Sequence, residues 1–177
     1  MSIEVVIRIN ASVGRVWAVL IDVEKWPEWT TMKSVARVDG GALAVGSKAR
    51  MKQPKLGSTV WTVTEFSPGR SFVWEAKRPG LTLVAGHRID VVGPSAVNLT
   101  LSIDQRGPFG RIVARLTRGT VTRLVQREAE GHKRRSEAPG SMARIVPLGH
   151  SHGLYWTIES AQKMSGTSIL VDRLYTG

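Results

Sequence analysis

The sequence predicts a single α+β domain in which a seven-stranded, curved antiparallel sheet wraps a long C-terminal helix, with two short helices after the first strand. Three observations carry that prediction. The chain opens on a stretch of period-2 alternation followed by a short amphipathic stretch. Residues 32–106 then alternate strand patterns with turn dipeptides. A long helical pattern, roughly 109–136, closes the order of elements.

Residues 2–9 read as the first strand, because Ile3, Val5, Ile7 and Ile9 alternate with Ser2, Glu4, Val6 and Arg8. Asn10-Ala-Ser12 punctuates, and Ser12 is placed to cap a helix. Val13, Val16, Trp17 and Leu20 follow at i, i+3, i+4 and i+7, one face of a short amphipathic helix. Asp22 is placed to cap a second, shorter turn. Trp26-Pro27-Glu28-Trp29 should end it, since the residue before a proline avoids the helical region. Strands are expected at 32–39, 47–53, 58–66, 70–77, 81–92 and 96–105. Turn signals such as Asp39-Gly-Gly41, Ser67-Pro-Gly69, Pro79-Gly80 and Gly93-Pro94-Ser95 separate them, and connections this short imply antiparallel hairpins.

On the long helix, Phe109, Ile112, Val113, Leu116 and Leu124 share one side, and Arg111, Arg115 and Arg118 lie opposite. Arg127 falls back on the apolar side, where its head would snorkel past the sheet edge. A stripe this long needs an apolar partner, and the concave face of an antiparallel sheet supplies one. Where the sheet curves away from the helix, the gap becomes a cavity.

A chain of 177 residues suits one domain. The absence of cysteine excludes disulfides, thiolate metal sites and a cysteine nucleophile. Met-Ser-Ile-Glu4 lacks the basic, apolar pattern of a signal peptide, and no apolar run approaches the roughly 20 residues of a membrane span. The expectation is a cytoplasmic protein. The net charge of +11 is spread along the chain, as for a solvated basic surface, with its densest run at Lys133-Arg134-Arg135. Residues 138–177 differ: they carry few charges, many Gly and Ser and no clear period. They read as an atypical C-terminal tail of unknown role, appended to a domain of residues 1–137.

Six tryptophans stand against two tyrosines and three phenylalanines. Trp61 and Trp74 lie within strands. Either alone reads as plain core, but with the adaptable Met51 they also suit the wall of an apolar pocket. Gln53, His87 and Arg127 would supply its few polar groups, with Arg127 near the entrance. Trp17 reads as core, and Trp26 and Trp29 as locks on the helix–loop corner. His87 shares its side of a strand with Leu81, Leu83 and Ile89. A structural histidine is the plainer reading; as an acid or base it would need a partner to fix its tautomer. Asp90 and Glu75 are the nearest carboxylates in sequence, and Asp90 faces away by parity.

His150 and His152 lack further ligands at metal-binding spacing, and His132 stands alone among basic residues, so neither metal nor cofactor is expected. There is no Gly-x-Ser-x-Gly elbow and no phosphate loop. The long helix carries Arg111, Arg115, Arg118, Arg123 and Arg127, a stripe that could track phosphates. No aromatic residues interleave with these arginines, so nucleic acid is not the expected partner. The same stripe suits transient contact with an anionic membrane. A monomer and a homodimer fit equally.

Ile9-Asn-Ala-Ser-Val-Gly-Arg-Val-Trp17, Leu20-Ile-Asp22 and Trp26-Pro27-Glu28-Trp29 together resemble the amino-terminal signature of the START-like (Bet v 1-like, SRPBCC) superfamily. The nearest likeness within it is to the bacterial polyketide cyclase/dehydrase and lipid-transport group. Trp61-Thr-Val-Thr-Glu65-Phe-Ser-Pro-Gly69 is similar to that group's central hairpin, and Phe72-Val-Trp74-Glu75 with His87 to the segment after that hairpin. The resemblance covers about residues 1–137 and implies the helix-grip fold. It implies a protein that binds or carries a hydrophobic small molecule: a lipid, a polyketide or an aromatic compound. It also implies an alternative, a cyclase or dehydrase using His87 as acid or base. A second alternative rests on the basic helix alone, a surface module for anionic membrane or nucleic acid. Fold alone does not choose among them.

Overall fold

Residues 2–53 and 57–139 are described by the computed structural model of the protein. The expectations for residues 140–177 lie outside the described residues. The alternating opening forms β1 (Ser2–Ile9) and the amphipathic stretch forms α1 (Val13–Ile21). The Ser12 hydroxyl caps α1, its Oγ accepting from the Arg15 N–H at 3.4 Å.

The expected second cap is not made. Asp22 forms no cap hydrogen bond, and its carboxylate instead meets Lys25 Nζ at 2.8 Å. The turn does end within Trp26-Pro27-Glu28-Trp29, at Glu28, but not at the residue before Pro27, because a 3-10 helix, Val23–Glu28, runs through the proline. Its bonds run from Lys25 N–H to Asp22 O and from Trp29 N–H to Trp26 O, and neither needs the donor that proline lacks.

The strands are β2 (Ser34–Arg37), β3 (Lys48–Gln53), β4 (Gly57–Ser67), β5 (Ser71–Arg78), β6 (Leu81–Gly93) and β7 (Ala96–Arg106). They make one curved, open antiparallel sheet in the order β1-β7-β6-β5-β4-β3-β2. This is the helix-grip architecture. A register shift between Val63 and Glu65 marks a bulge in β4. It brings the even-numbered Phe66 to the face of its partner Phe72, while Trp61 and Val63, before it, keep the parity that turns them inward. Phe66 then packs on Trp17 of α1, with ring centroids 5.5 Å apart.

The long helix α2 (Gly110–Glu137) packs on β1, β7 and α1. It turns only part of the expected stripe inward: Val113 and Leu124 face the sheet, but Phe109, Ile112 and Leu116 do not. Ile112 is 60% and Leu116 80% exposed, and Phe109 just before the helix is 57% exposed. The inward face carries Gly110, Ala114, Val121, Ala129, His132 and Ser136 instead. That face lies nearly opposite Ile112 and Leu116, about 180° round the helix at about 100° per residue. The reason is packing. Gly131 approaches so closely that a Cβ there would lie 2.2 Å from the Trp29 carbonyl oxygen, and one on Gly110 would lie 2.6 Å from Gln105 O. Small residues are what such an approach admits. Arg127 therefore points outward and is exposed, with no need to snorkel.

The C-terminal end of α2 is tied to the first corner of the chain. The Arg15 guanidinium donates to the Ser136 and Ala138 carbonyls. Lys133 Nζ donates to Arg8 O at 2.8 Å, and Glu137 Oε1 accepts from the Asn10 N–H at 2.7 Å. The Arg15 contacts satisfy carbonyls that a helix end leaves open.

Candidate functional site

Strand parity turns Met51, Trp61, Trp74, Ala85, His87 and Leu101 to the concave face of the sheet. The helix lays Val113, Thr117, Val121, Leu124 and Glu128 over them. Between the two layers lies a cavity of about 190 Å³. Five of the six side chains expected to line a pocket, Met51, Gln53, Trp61, Trp74 and His87, are in its wall. Arg127 is not.

The two ends of the cavity differ. At one end, strand register groups Gln53, Thr59, Arg78, Leu81 and Gln105. Arg78 donates to the Thr59 hydroxyl. Gln105 Nε2 donates to Thr117 Oγ1 at 3.3 Å, while the buried Gln105 Oε1 has no hydrogen-bond partner among the described residues. The other end is closed by rings. Trp74 meets Trp26 at 5.3 Å, Phe72 at 5.3 Å and Trp61 at 5.6 Å between centroids. Trp26 is fully buried, its Nε1 donating to Leu20 O at 3.2 Å. Edge-to-face arrangements of this kind stabilise beyond the area they bury.

His87 sits where the hollow meets the rings. It stacks on its cross-strand neighbour Phe72 with centroids 4.2 Å apart and planes 13° from parallel. Its Nε2 faces Glu128 Oε1 at 3.6 Å, and its Nδ1 is buried with no hydrogen-bond partner among the described residues. The carboxylate beside His87 is therefore neither Asp90 nor Glu75. Asp90 pairs with Arg88 at 2.9 Å between partly exposed side chains, and Glu75 lies on the sheet face opposite Trp74. Glu128 was legible only through helical periodicity: it stands seven residues after Val121 and four after Leu124, on the cavity side.

His132 is the other departure. It does not stand among basic side chains but is buried, edge-on to Trp26 at 5.0 Å and to Trp29 at 6.4 Å. Burial first, and then the nearness of His87, lower its pKa to about 3, so it is neutral at ordinary pH. Arg135 lies over the Trp29 ring at this corner, 5.0 Å from its centroid.

Among the described residues no three His, Cys, Asp or Glu side chains are grouped to hold a metal ion. No helix among them is long and apolar enough to cross a membrane.

Over residues 1–137 the chain matches the sequence model of a family described as polyketide cyclase / dehydrase and lipid transport. A comparison with curated proteins finds no match. Solved structures share the fold at low identity. A Thermus thermophilus protein superposes with a TM-score of 0.64 at 15% identity, covering 80% of this chain and 100% of its own. An aromatase/cyclase from Streptomyces sp. R1128 gives 0.59 at 17%, covering 79% and 98%. A START superfamily protein from Mycobacterium smegmatis gives 0.57 at 16%, covering 73% and 94%.

Proposed function

The chain belongs to the polyketide cyclase / dehydrase and lipid transport family, and from that premise we propose that it binds or carries a small, largely apolar molecule in the cavity between the sheet and α2. The observation that carries this reading is the hollow itself: about 190 Å³, walled chiefly by apolar side chains such as Trp61, Trp74, Met51 and Leu101, with a few polar groups among them. Interiors are otherwise close-packed, and a void of this size forfeits contacts that a ligand would restore. An apolar cavity of about 150 Å³ accepts benzene, and drug-sized pockets start near 300 Å³. A one- or two-ring aromatic compound or a short acyl chain therefore suits this hollow without rearrangement. Met51, Gln53, Trp61, Trp74 and His87 are the proposed contacts; Arg127 is set aside because it points away.

Native mass spectrometry of the purified protein, with extraction of the same sample, tests the reading. A discrete apolar adduct, or tryptophan quenching that saturates on titration with naphthalene-sized aromatics, is the expected result. A clean apo mass together with no fluorescence response to aromatics, fatty acids or sterols would sink it.

A second reading has one observation in its favour. Glu128 supplies His87 with the carboxylate that a general acid or base needs to hold its tautomer. At 3.6 Å the pair is just beyond hydrogen-bond length, and a small shift on ligand entry would close it. In this reading the reaction is an aldol-type cyclisation or dehydration. His87→Gln and Glu128→Gln should then abolish turnover of a polyketide-like substrate while it still binds. If the protein only carries its ligand, both variants change affinity alone.

A further inference from the structure

We infer that the outer face of the first half of α2 is a docking surface for an anionic lipid bilayer. Phe109, Ile112 and Leu116 recur at i, i+3 and i+7, so they form one stripe, and all three are turned to solvent. A soluble domain rarely leaves a row of large apolar side chains on a helix without a use for it. Two and three turns beyond Leu116, the same stripe continues as Arg123 and Arg127, both exposed. Arg111 and Arg115 flank it, also exposed. No acidic residue occurs between Asp104 and Glu128, so nothing on this segment opposes a negative partner.

The combination selects the partner. Guanidinium groups pair with lipid phosphates, while large apolar side chains enter the boundary between headgroups and acyl chains. A nucleic-acid duplex would use the arginines but gains nothing from Ile112 and Leu116. The position is also consistent with a bilayer. Val113 and Thr117, on the same turns, line the cavity. The Phe109 ring lies against Gly80 in the β5–β6 turn, where an added Cβ would be 2.3 Å from Phe109 Cδ2. Arg78 and Leu81 of the cavity wall flank that turn. Docking through this stripe would bring one end of the cavity to the lipid surface. The surface is read from exposure and charge, independently of what fills the cavity.

Co-sedimentation of the full chain with vesicles tests this without any ligand. The probes are phosphatidylcholine alone and phosphatidylcholine mixed with phosphatidylglycerol. We expect binding to the anionic vesicles at least about tenfold tighter than to the neutral ones, weakening as salt rises. Ile112→Ser with Leu116→Ser should lower it about tenfold or more, and Arg111→Glu with Arg115→Glu at least about 100-fold. Because all four side chains are exposed, both double variants should melt as the parent does. Three results would overturn the inference. One is no binding to anionic vesicles. Another is binding that the Ile112/Leu116 pair leaves unchanged, which would mark a purely electrostatic face and, with equal affinity for duplex DNA, a nucleic-acid one. The third is a lowered melting temperature for that pair, which would mean the stripe is covered in the native chain.

Discussion

The space between sheet and helix is filled at one end and hollow at the other, although β5, β6 and α2 bound both. At the filled end Trp26 enters from the 3-10 corner and interlocks with Trp74, His87 and His132, while Phe72 packs on Trp74. Helix and corner close to backbone contact there, at Gly131 and Trp29. At the hollow end no such side chain enters. Ala85 faces the gap from β6, and Thr117 and Val121 face it from the helix. The comparison teaches that this cavity is not a failure of packing but the consequence of where the corner inserts its rings. One end stabilises the grip and leaves the other free to be shaped.

The largest expected effect of that difference is on acid stability. In the unfolded chain His132 would titrate near its ordinary 6.5, whereas in the fold it stays neutral to about 3. Between those values the unfolded state binds more protons, so stability is fully present above about 6.5 and is lost as pH falls toward 3. The loss over the whole window is on the order of 5 kcal/mol. Urea denaturation across that range should show it, and His132→Leu should remove most of the slope. A variant with the parent's slope would move the acid sensitivity to another group.

Next in size is backbone contact. Gly131→Ala places a Cβ against the Trp29 carbonyl and should cost about 3 kcal/mol, read as a fall in melting temperature. An unchanged melt would show that the corner can yield. A matched pair then sets the ends against each other. Ala129→Leu, at the filled end, should destabilise by about 1–3 kcal/mol because Ala129 is fully buried in the core. Ala85→Leu, at the hollow end, should cost less than about 1 kcal/mol while weakening uptake of aromatic ligands, since the added carbons occupy the gap. Equal costs would mean the hollow is not there in solution. The smallest effect is at Leu116. With most of its surface in water, Leu116→Ser should change stability by no more than about 0.5 kcal/mol.

That last result bears on what the sequence discloses. Hydropathy ranks Ile112 and Leu116 as core and passes over Ala114, Thr117 and Glu128, because it weighs side chains by size and polarity. The face that a helix turns inward is chosen by what it meets. Here it meets a tight corner that admits only small residues and a cavity that tolerates a carboxylate beside a histidine. Glu128 and His132 were missed for this reason: both sit on a face that looks polar in isolation. By contrast, Trp61, Trp74, Met51 and His87 were placed by strand parity, a local property that survives into the fold because the bulge falls after Val63.

What the sequence determined by itself was the order and kind of the elements, their antiparallel pairing and the family. These rest on period-2 alternation, short Gly and Pro turns and a contiguous Trp-Pro-x-Trp corner, all signals spanning a few residues. The tertiary structure decided the rotation of α2, the pairing of His87 with Glu128, the burial of His132 and the size of the hollow. Each of these depends on residues tens of positions apart meeting across a gap of one side chain. Only close packing in three dimensions sets that distance.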